Sequence, residues 1–428
     1  MSVIKLRMND NIIKVFIVLG SHFGHILSIG MSITFGILYS EIRNDFKTSH
    51  YEAAWIASIF NGLTQIIGLP LGPILVKVQE RWLTVVGTLL LVVGMITSSF
   101  ASAITTLYIT YGLISGLGAG IIHYCSNTIV VRKFSVEMCP LALTIANSGS
   151  AIGSLILPPI LTVCIQQYDW KIAFIVLGGI SSTGFFAAAT FVSSNNNNND
   201  DDSDNVEVRK TMIGILKNVK FMIFFVSNGI ATTALFGPST FLPDLMQDKG
   251  ISSKETAVCI IVIGVGNLFG RLLCGAFASK FNNQVVWIFG ISLLGYGVTS
   301  TAMILAKSLH IFMVLSVLVG LFSGGYFGLF TAVVSYYLGK KQLPIGYGMI
   351  SATTGISLTA EMPLAGFVSD SYGNEDGSFV FGGCMMFFAA MMVFVNLVVD
   401  FRRRGTCARQ TGDEKCNEQN EYTETTHL

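Results

Sequence analysis

Apolar residues run in long blocks separated by short polar punctuation. Blocks long enough to cross a hydrocarbon layer, about 20 residues, recur twelve times. They fall at 13–39, 52–76, 82–102, 106–131, 140–165, 170–193, 220–247, 254–279, 284–306, 310–337, 344–369 and 377–401. Each is expected to be a helix, because backbone in lipid must satisfy its polar groups within the segment. We number them spans 1 to 12. One connection is long, and it opens on Ser193–Asn205 (SSNNNNNDDDSDN), whose composition predicts disorder. The pattern therefore divides the chain into an N-terminal six-helix bundle (1–193), a cytosolic linker (194–219), a C-terminal six-helix bundle (220–401) and a cytosolic tail (402–428). The expected fold class is an all-α membrane protein with twelve transmembrane helices in two six-helix bundles.

Composition strengthens the membrane reading. Charged residues are 12% of the chain and apolar ones 52%, against about 25% and 45–50% in soluble domains. The net charge of +1 leaves no basic field for nucleic acid. With both termini in the cytosol, 19 of the 26 Lys and Arg lie in inner segments and 6 in outer loops, the asymmetry of the positive-inside rule. The remaining one, Arg271, lies within a span. The first apolar run follows Lys5 and Arg7 without a small-residue cleavage site, so it reads as a retained helix. The eight cysteines form neither a disulfide framework nor a metal motif. No Walker motif, nucleophile elbow or HExxH occurs, which speaks against an ATP-driven pump or an enzyme and calls for no cofactor and no metal.

The two halves echo each other. Gly116-Leu-Gly-Ala-Gly120 precedes Thr128-Ile-Val-Val and a basic pair; Gly320-Leu-Phe-Ser-Gly324 precedes Thr331-Ala-Val-Val and Lys340-Lys341. Pro140 and Pro344 follow. Parallel halves of this kind occur in transporters with a substrate path between them, and the glycines imply close helix packing.

A charge inside a bilayer costs about 2.5–3.5 kcal/mol even on the lower scales, so the two deep ones stand out: Arg271 in span 8 and Glu361 in span 11. Gly264, Asn267, Arg271, Cys274 and Ala278 share one small, polar helical face, which should look into the bundle and open Arg271 to a water-filled path. Arg271 is then a substrate or ion contact, or else a structural cation. Rise per residue puts Arg271 nearer the inner end and Glu361 nearer the outer end, two separate stations. In span 1, Ser21, His25, Ser28 and Ser32 form a polar stripe, and His123 in span 4 lies at the depth of Arg271. Glu361, His25 and His123 are the proton- or ion-coupling candidates, with interior hydrogen bonding the alternative for both histidines. Phe327 and Tyr124 are cavity candidates by position. Thr426, His427 and Leu428 fit the carboxylate ending that a PDZ-type domain accepts by strand addition.

These residues resemble the monocarboxylate transporter family of the major facilitator superfamily. The likeness rests on Trp55-Ile-Ala-Ser-Ile, on Pro140-Leu-Ala-Leu-Thr-Ile-Ala-Asn-Ser-Gly-Ser-Ala-Ile-Gly153 and on Asp169-Trp-Lys-Ile-Ala-Phe. It continues through Phe241-Leu-Pro-Asp244, Asp248-Lys-Gly-Ile251, the segment through Arg271, and Pro363-Leu-Ala-Gly366 with Asp370. The resemblance implies alternating access, often proton-coupled carriage of lactate or pyruvate, a plasma-membrane location and a single-span ancillary membrane protein as partner. It makes Arg271, Asn267 and Met31 substrate-binding positions. Three departures matter: Asn267 stands where proton-coupled members have Asp, Met31 where they have a span 1 Lys, and Leu19-Gly-Ser-His22 and Glu137-Met-Cys139 replace the family's acidic-aromatic entry to span 1 and basic run before span 5. The usual Asp–Lys proton route is therefore absent. A carrier of a small organic anion or zwitterion is expected; a non-transporting membrane sensor or scaffold of the same fold is the alternative.

Overall fold

A computed structural model of the chain describes residues 10–48, 50–191, 201–235, 237–281, 284–372 and 376–398. The described residues hold helices and turns, with no strand among them. Among the described residues, ten helices, or eleven counting a bent pair, are long and apolar enough to cross a membrane. One of them, Leu309–Glu361, is 53 residues long, roughly 80 Å of helix, more than twice a hydrocarbon core of about 30 Å. It breaks at Gly339, whose φ of 67° and ψ of 175° leave helical space, in a region open to glycine at little cost. Spans 10 and 11 lie on either side of that break.

Several spans carry internal breaks that follow from their sequence. Span 1 is Asp10–His25, a π-helical turn at Ile26–Gly30, and Met31–Phe46. Span 4 contains a second π segment, Tyr108–Ser115, ahead of Gly116–Lys133. Span 5, Cys139–Gln167, starts with Pro140 in its first turn and carries Pro158 and Pro159 inside. Span 7 divides into Val219–Thr232 and Gly237–Asp248. Span 8, Ser253–Lys280, is continuous and begins with a reciprocal Ser252/Glu255 capping box.

The linker differs from its expectation. Residues Asp201–Lys217 form a helix, which meets span 7 at an 80° bend, so disorder does not extend through Asn205 as composition suggested. Lys217 in its last turn suits the helix dipole, and Ile215 is fully buried against the core. Asn218 turns the corner by capping Phe221 N–H (3.2 Å). Residues 192–200 lie outside the described residues, as do Cys407, Cys416, the tail 402–428 and its end at Thr426, His427 and Leu428.

One apolar cluster lies within the N-terminal spans, around Leu27, Phe60, Tyr111 and Phe174. A larger one fills the C-terminal spans and continues across to Ile17, Leu71, Tyr124 and Leu143. The halves thus share a core toward the end that carries Lys77, Lys133, Lys280 and Lys340. Two seams close them there. Along spans 5 and 8, Leu141 N–H donates to Ser279 Oγ (3.0 Å), and Gly275 lies so close to Thr144 that a Cβ would collide with it. Along spans 2 and 11, Ser351 Oγ donates to Gln65 Oε1 (3.0 Å), and Gly348 abuts Gly68. Lys340 Nζ closes the end by donating to Phe134 O (2.6 Å).

Candidate functional site

Span 8 has two unlike faces. Val258, Ile261, Val265, Phe269, Leu273 and Phe277 are exposed along one side, a lipid-facing stripe at helical spacing. Asn267, Arg271 and Ala278 occupy the other, as their spacing predicted. Span 10 packs onto that second face through its glycines: a Cβ at Gly320 would collide with Ile263 O, and one at Gly324 with Asn267 O. In the N-terminal half, Gly116 and Gly120 meet Phe60 and Thr64 of span 2 in the same manner. The repeated Gly-x-x-x-Gly segments are packing devices in both halves.

This close approach builds the surroundings of Arg271. Ser323 Oγ accepts from Asn267 Nδ2 (2.8 Å), which turns Asn267 Oδ1 toward Arg271 Nε (2.8 Å). Phe327 lies under the guanidinium, its ring centre 5.0 Å from Cζ, a cation–π geometry. From the other half, span 5 supplies Ser150 Oγ (2.7 Å from Nη1) and the carbonyl of Asn147, both accepting from Arg271. The side-chain Nδ2 of Asn147 is itself buried with no hydrogen-bond partner among the described residues. Arg271 is 5% exposed. It does not open to a water-filled path, as its helical face suggested; closure of the span 5–span 8 seam covers it. Asn147 and Ser150 lie within the motif that carries the family resemblance, yet nothing in their spacing assigned them to Arg271.

The other expected residues fall elsewhere. Met31 is buried in the N-terminal cluster, with Ser181 Oγ donating to its sulfur (3.7 Å), away from the span 8 face. The π turn just before it shifts the helical register of its side chain. Tyr124 donates to the carbonyl of Pro344 and stacks near Tyr347 (5.2 Å), in the span 2–span 11 seam. Glu361 is buried on span 11. From its seam end at Pro344 it lies roughly 25 Å along the helix, and Arg271 roughly 13 Å from Lys280, so the two remain at different depths. His25 and His123 are buried face to edge, centroids 5.0 Å apart. Ser32, at the end of the span 1 stripe, donates to Asn61 Oδ1.

Two buried polar links were not anticipated. Tyr326 donates to Asn228 (2.8 Å) and Asn228 to Thr354 (2.9 Å), joining spans 10, 7 and 11. Thr331 donates to Asn127 across the halves (3.0 Å).

Known structures share this architecture. FucP, a major facilitator superfamily transporter crystallised in the outward conformation, superimposes with a TM-score of 0.73 over 89% of this chain and 98% of its own, at 15% identity. The human organic anion transporter MFSD10 gives 0.72 over 90% and 100%, at 12% identity. The family model of the Major Facilitator Superfamily matches residues 22–293 and 286–415. Fold and family together define a multi-pass membrane protein and secondary transporter. The chain belongs to the major facilitator superfamily, and its curated relatives include monocarboxylate transporters. It is 26% identical to Monocarboxylate transporter 3 of Rattus norvegicus over 84% of this chain and 74% of that protein. Monocarboxylate transporter 2 of Homo sapiens is 24% identical over 90% and 86%.

Proposed function

We propose that this chain carries a small, monocarboxylate-like organic anion across the plasma membrane by alternating access, with Arg271 binding the anionic end. The observation that carries this reading is a buried guanidinium at the seam between halves whose four named partners, Asn267, Asn147, Ser150 and Phe327, are all uncharged. A charge removed from water without a counter-ion is costly, so an arriving carboxylate recovers energy that neutral acceptors do not supply. The guanidinium also offers a planar fork matched to carboxylate. Asn147 Nδ2 is a further buried donor lacking a partner among the described residues, on the residue whose carbonyl accepts from Arg271.

Substrate and seam then compete for one group. While Arg271 donates to Asn147 O and Ser150 Oγ, it ties span 8 to span 5. A carboxylate that takes over those donors releases the tie, which couples loading to rocking of the halves. Both termini are placed in the cytosol by the basic-residue count, so the closed end is the inner one. Residues 1–193 and 220–401 are the moving bundles, and a single-span ancillary membrane protein is the partner the family likeness suggests.

The test is uptake of radiolabelled pyruvate into proteoliposomes by wild-type chain and by Arg271→Gln and Arg271→Lys. Saturable uptake lost in both variants, with intact folding, is expected. Uptake unchanged in Arg271→Gln would make the residue structural and move the search to Glu361.

A further inference from the structure

The helix that ends the linker, Asp201–Lys217, meets span 7 at 80°. Span 7 crosses the membrane, so the turns over Arg209–Lys217 run nearly parallel to the membrane surface. They lie at the end that the basic-residue count places in the cytosol. From 208 to 221 the sequence holds Arg209, Lys210, Lys217 and Lys220 and no acidic residue. Apolar residues interleave with these cations. The segment is a short basic amphipathic helix, the pattern of helices that lie in a membrane interface.

The two sides of these turns are used differently. Ile215 is fully buried on one side, and Met212 packs against the same apolar cluster. The corner that follows is anchored to the C-terminal bundle. Asn218 Nδ2 donates to Tyr337 O (3.4 Å). Asn396 Nδ2 donates to Lys220 O (2.9 Å) and to the Tyr337 hydroxyl (3.2 Å), so spans 10 and 12 hold the corner in place. On the other side, Arg209, Ile213, Leu216 and Lys217 share a face at helical spacing, with Lys210 beside them and Val219 just past the corner. Ile213, Leu216 and Val219 are 43%, 51% and 69% exposed, and Arg209, Lys210 and Lys217 are exposed with them.

We infer that this face is a docking surface for the anionic phospholipids of the inner leaflet. Ile213, Leu216 and Val219 enter the boundary between headgroups and acyl chains, while Arg209, Lys210 and Lys217 hold headgroup phosphates. The charges are complementary: a guanidinium presents a planar fork to phosphate. Both kinds of cation can lay their methylene stems along the apolar strip while their heads reach the headgroups. Shape selects a membrane over a protein groove. With Ile215 buried and the corner at Asn218 held, one side of the helix is free; a flat surface meets one side, whereas a groove that wraps a helix needs more. Attraction to a charged leaflet acts on all three cations together, so binding rises steeply with lipid charge and weakens with salt. The surface is separate from Arg271, and its test does not depend on the anion carried.

The experiment puts a fluorophore at Leu216→Cys in the full-length chain on a cysteine-free background. The protein is reconstituted into nanodiscs of phosphatidylcholine alone or mixed with phosphatidylserine. Phosphatidylserine should shift the emission to the blue and shield the fluorophore from acrylamide, a neutral quencher, and added salt should reverse part of the shielding. Equal quenching in the two kinds of disc overturns the proposal. A second measurement needs no label: native mass spectrometry of the chain in detergent should show phosphatidylserine retained over phosphatidylcholine. Arg209→Gln, Lys210→Gln and Lys217→Gln combined should weaken that retention roughly 10- to 100-fold, since each cation near an anionic surface contributes about fivefold. Lys133→Gln, Lys280→Gln and Lys341→Gln combined, which remove the same charge at the same end of the protein, should leave it near wild type. Retention that survives the first triple variant, or falls equally in the second, overturns the proposal. So does displacement of phosphatidylserine by inorganic phosphate, which would assign the face to a soluble anion instead.

Discussion

Among the described residues, Arg132 and Arg271 both reach buried partners, and those partners differ. Arg132, near the C-terminal end of span 4, meets the fully buried carboxylate of Glu80 at 2.6 Å and donates to Leu75 O (3.0 Å). Arg271 is held by an amide oxygen, a hydroxyl, a backbone carbonyl and a ring. The first site is neutral as a pair, with a carboxylate as standing counter-charge. The second retains a positive charge at the junction of the two halves, which suits it to an anion that arrives and leaves. Residue type and depth alone do not separate a structural cation from a binding one; the charge of the partners does.

The largest expected effect tests that contrast directly. Arg271→Gln should lower pyruvate uptake per surface copy by roughly 10- to 100-fold, since a hydrogen bond to a charged group contributes about 1.5–3 kcal/mol. Surface biotinylation should find delivery near wild type. Arg271→Lys should recover little, because an ammonium does not reproduce the planar fork.

Glu80→Gln should behave in the opposite way. Breaking a buried pair costs about 3–5 kcal/mol, but the Arg132 side chain is 31% exposed, so solvent reduces this to about 1–3 kcal/mol. The expected result is a lower melting temperature in detergent with transport per folded copy preserved. A variant that melts normally yet fails to transport would erase the distinction between the two arginines.

Ser150→Ala should have a smaller, conformational effect. It removes one neutral acceptor from Arg271 and loosens the span 5–span 8 seam. Disulfide formation between Leu141→Cys and Ser279→Cys, on a cysteine-free background, should slow a few-fold while pyruvate uptake persists. Unchanged cross-linking would show that the seam does not depend on this bond. The least effect is expected from deleting residues 194–200, whose Asn-rich composition offers nothing to bury; uptake and surface delivery should match wild type.

The span pattern was legible because a helix in lipid satisfies its own backbone, so length and apolar content of each segment settle its form locally. Arg271 and its polar face were legible for the same reason: a charge there is conspicuous, and span 8 keeps helical spacing throughout. Legibility failed where spacing failed. The π turns at Ile26–Gly30 and Tyr108–Ser115 shift the register of spans 1 and 4, and a periodic reading of the span 1 stripe does not register that shift. The Asp201–Lys217 helix was hidden by the low-complexity composition at its start.

By itself, then, the sequence determined the number of apolar segments, the repeated glycine motifs and the presence of one arginine deep in span 8. Tertiary structure alone decided what surrounds that arginine. Asn147 and Ser150 reach it from a helix more than a hundred residues away, Met31 turns into the N-terminal core, and His25 meets His123. The physical reason is that spanning is a property of each segment, whereas partners depend on helix rotation and on close approach at Gly320 and Gly324, which arise only once the bundles are packed.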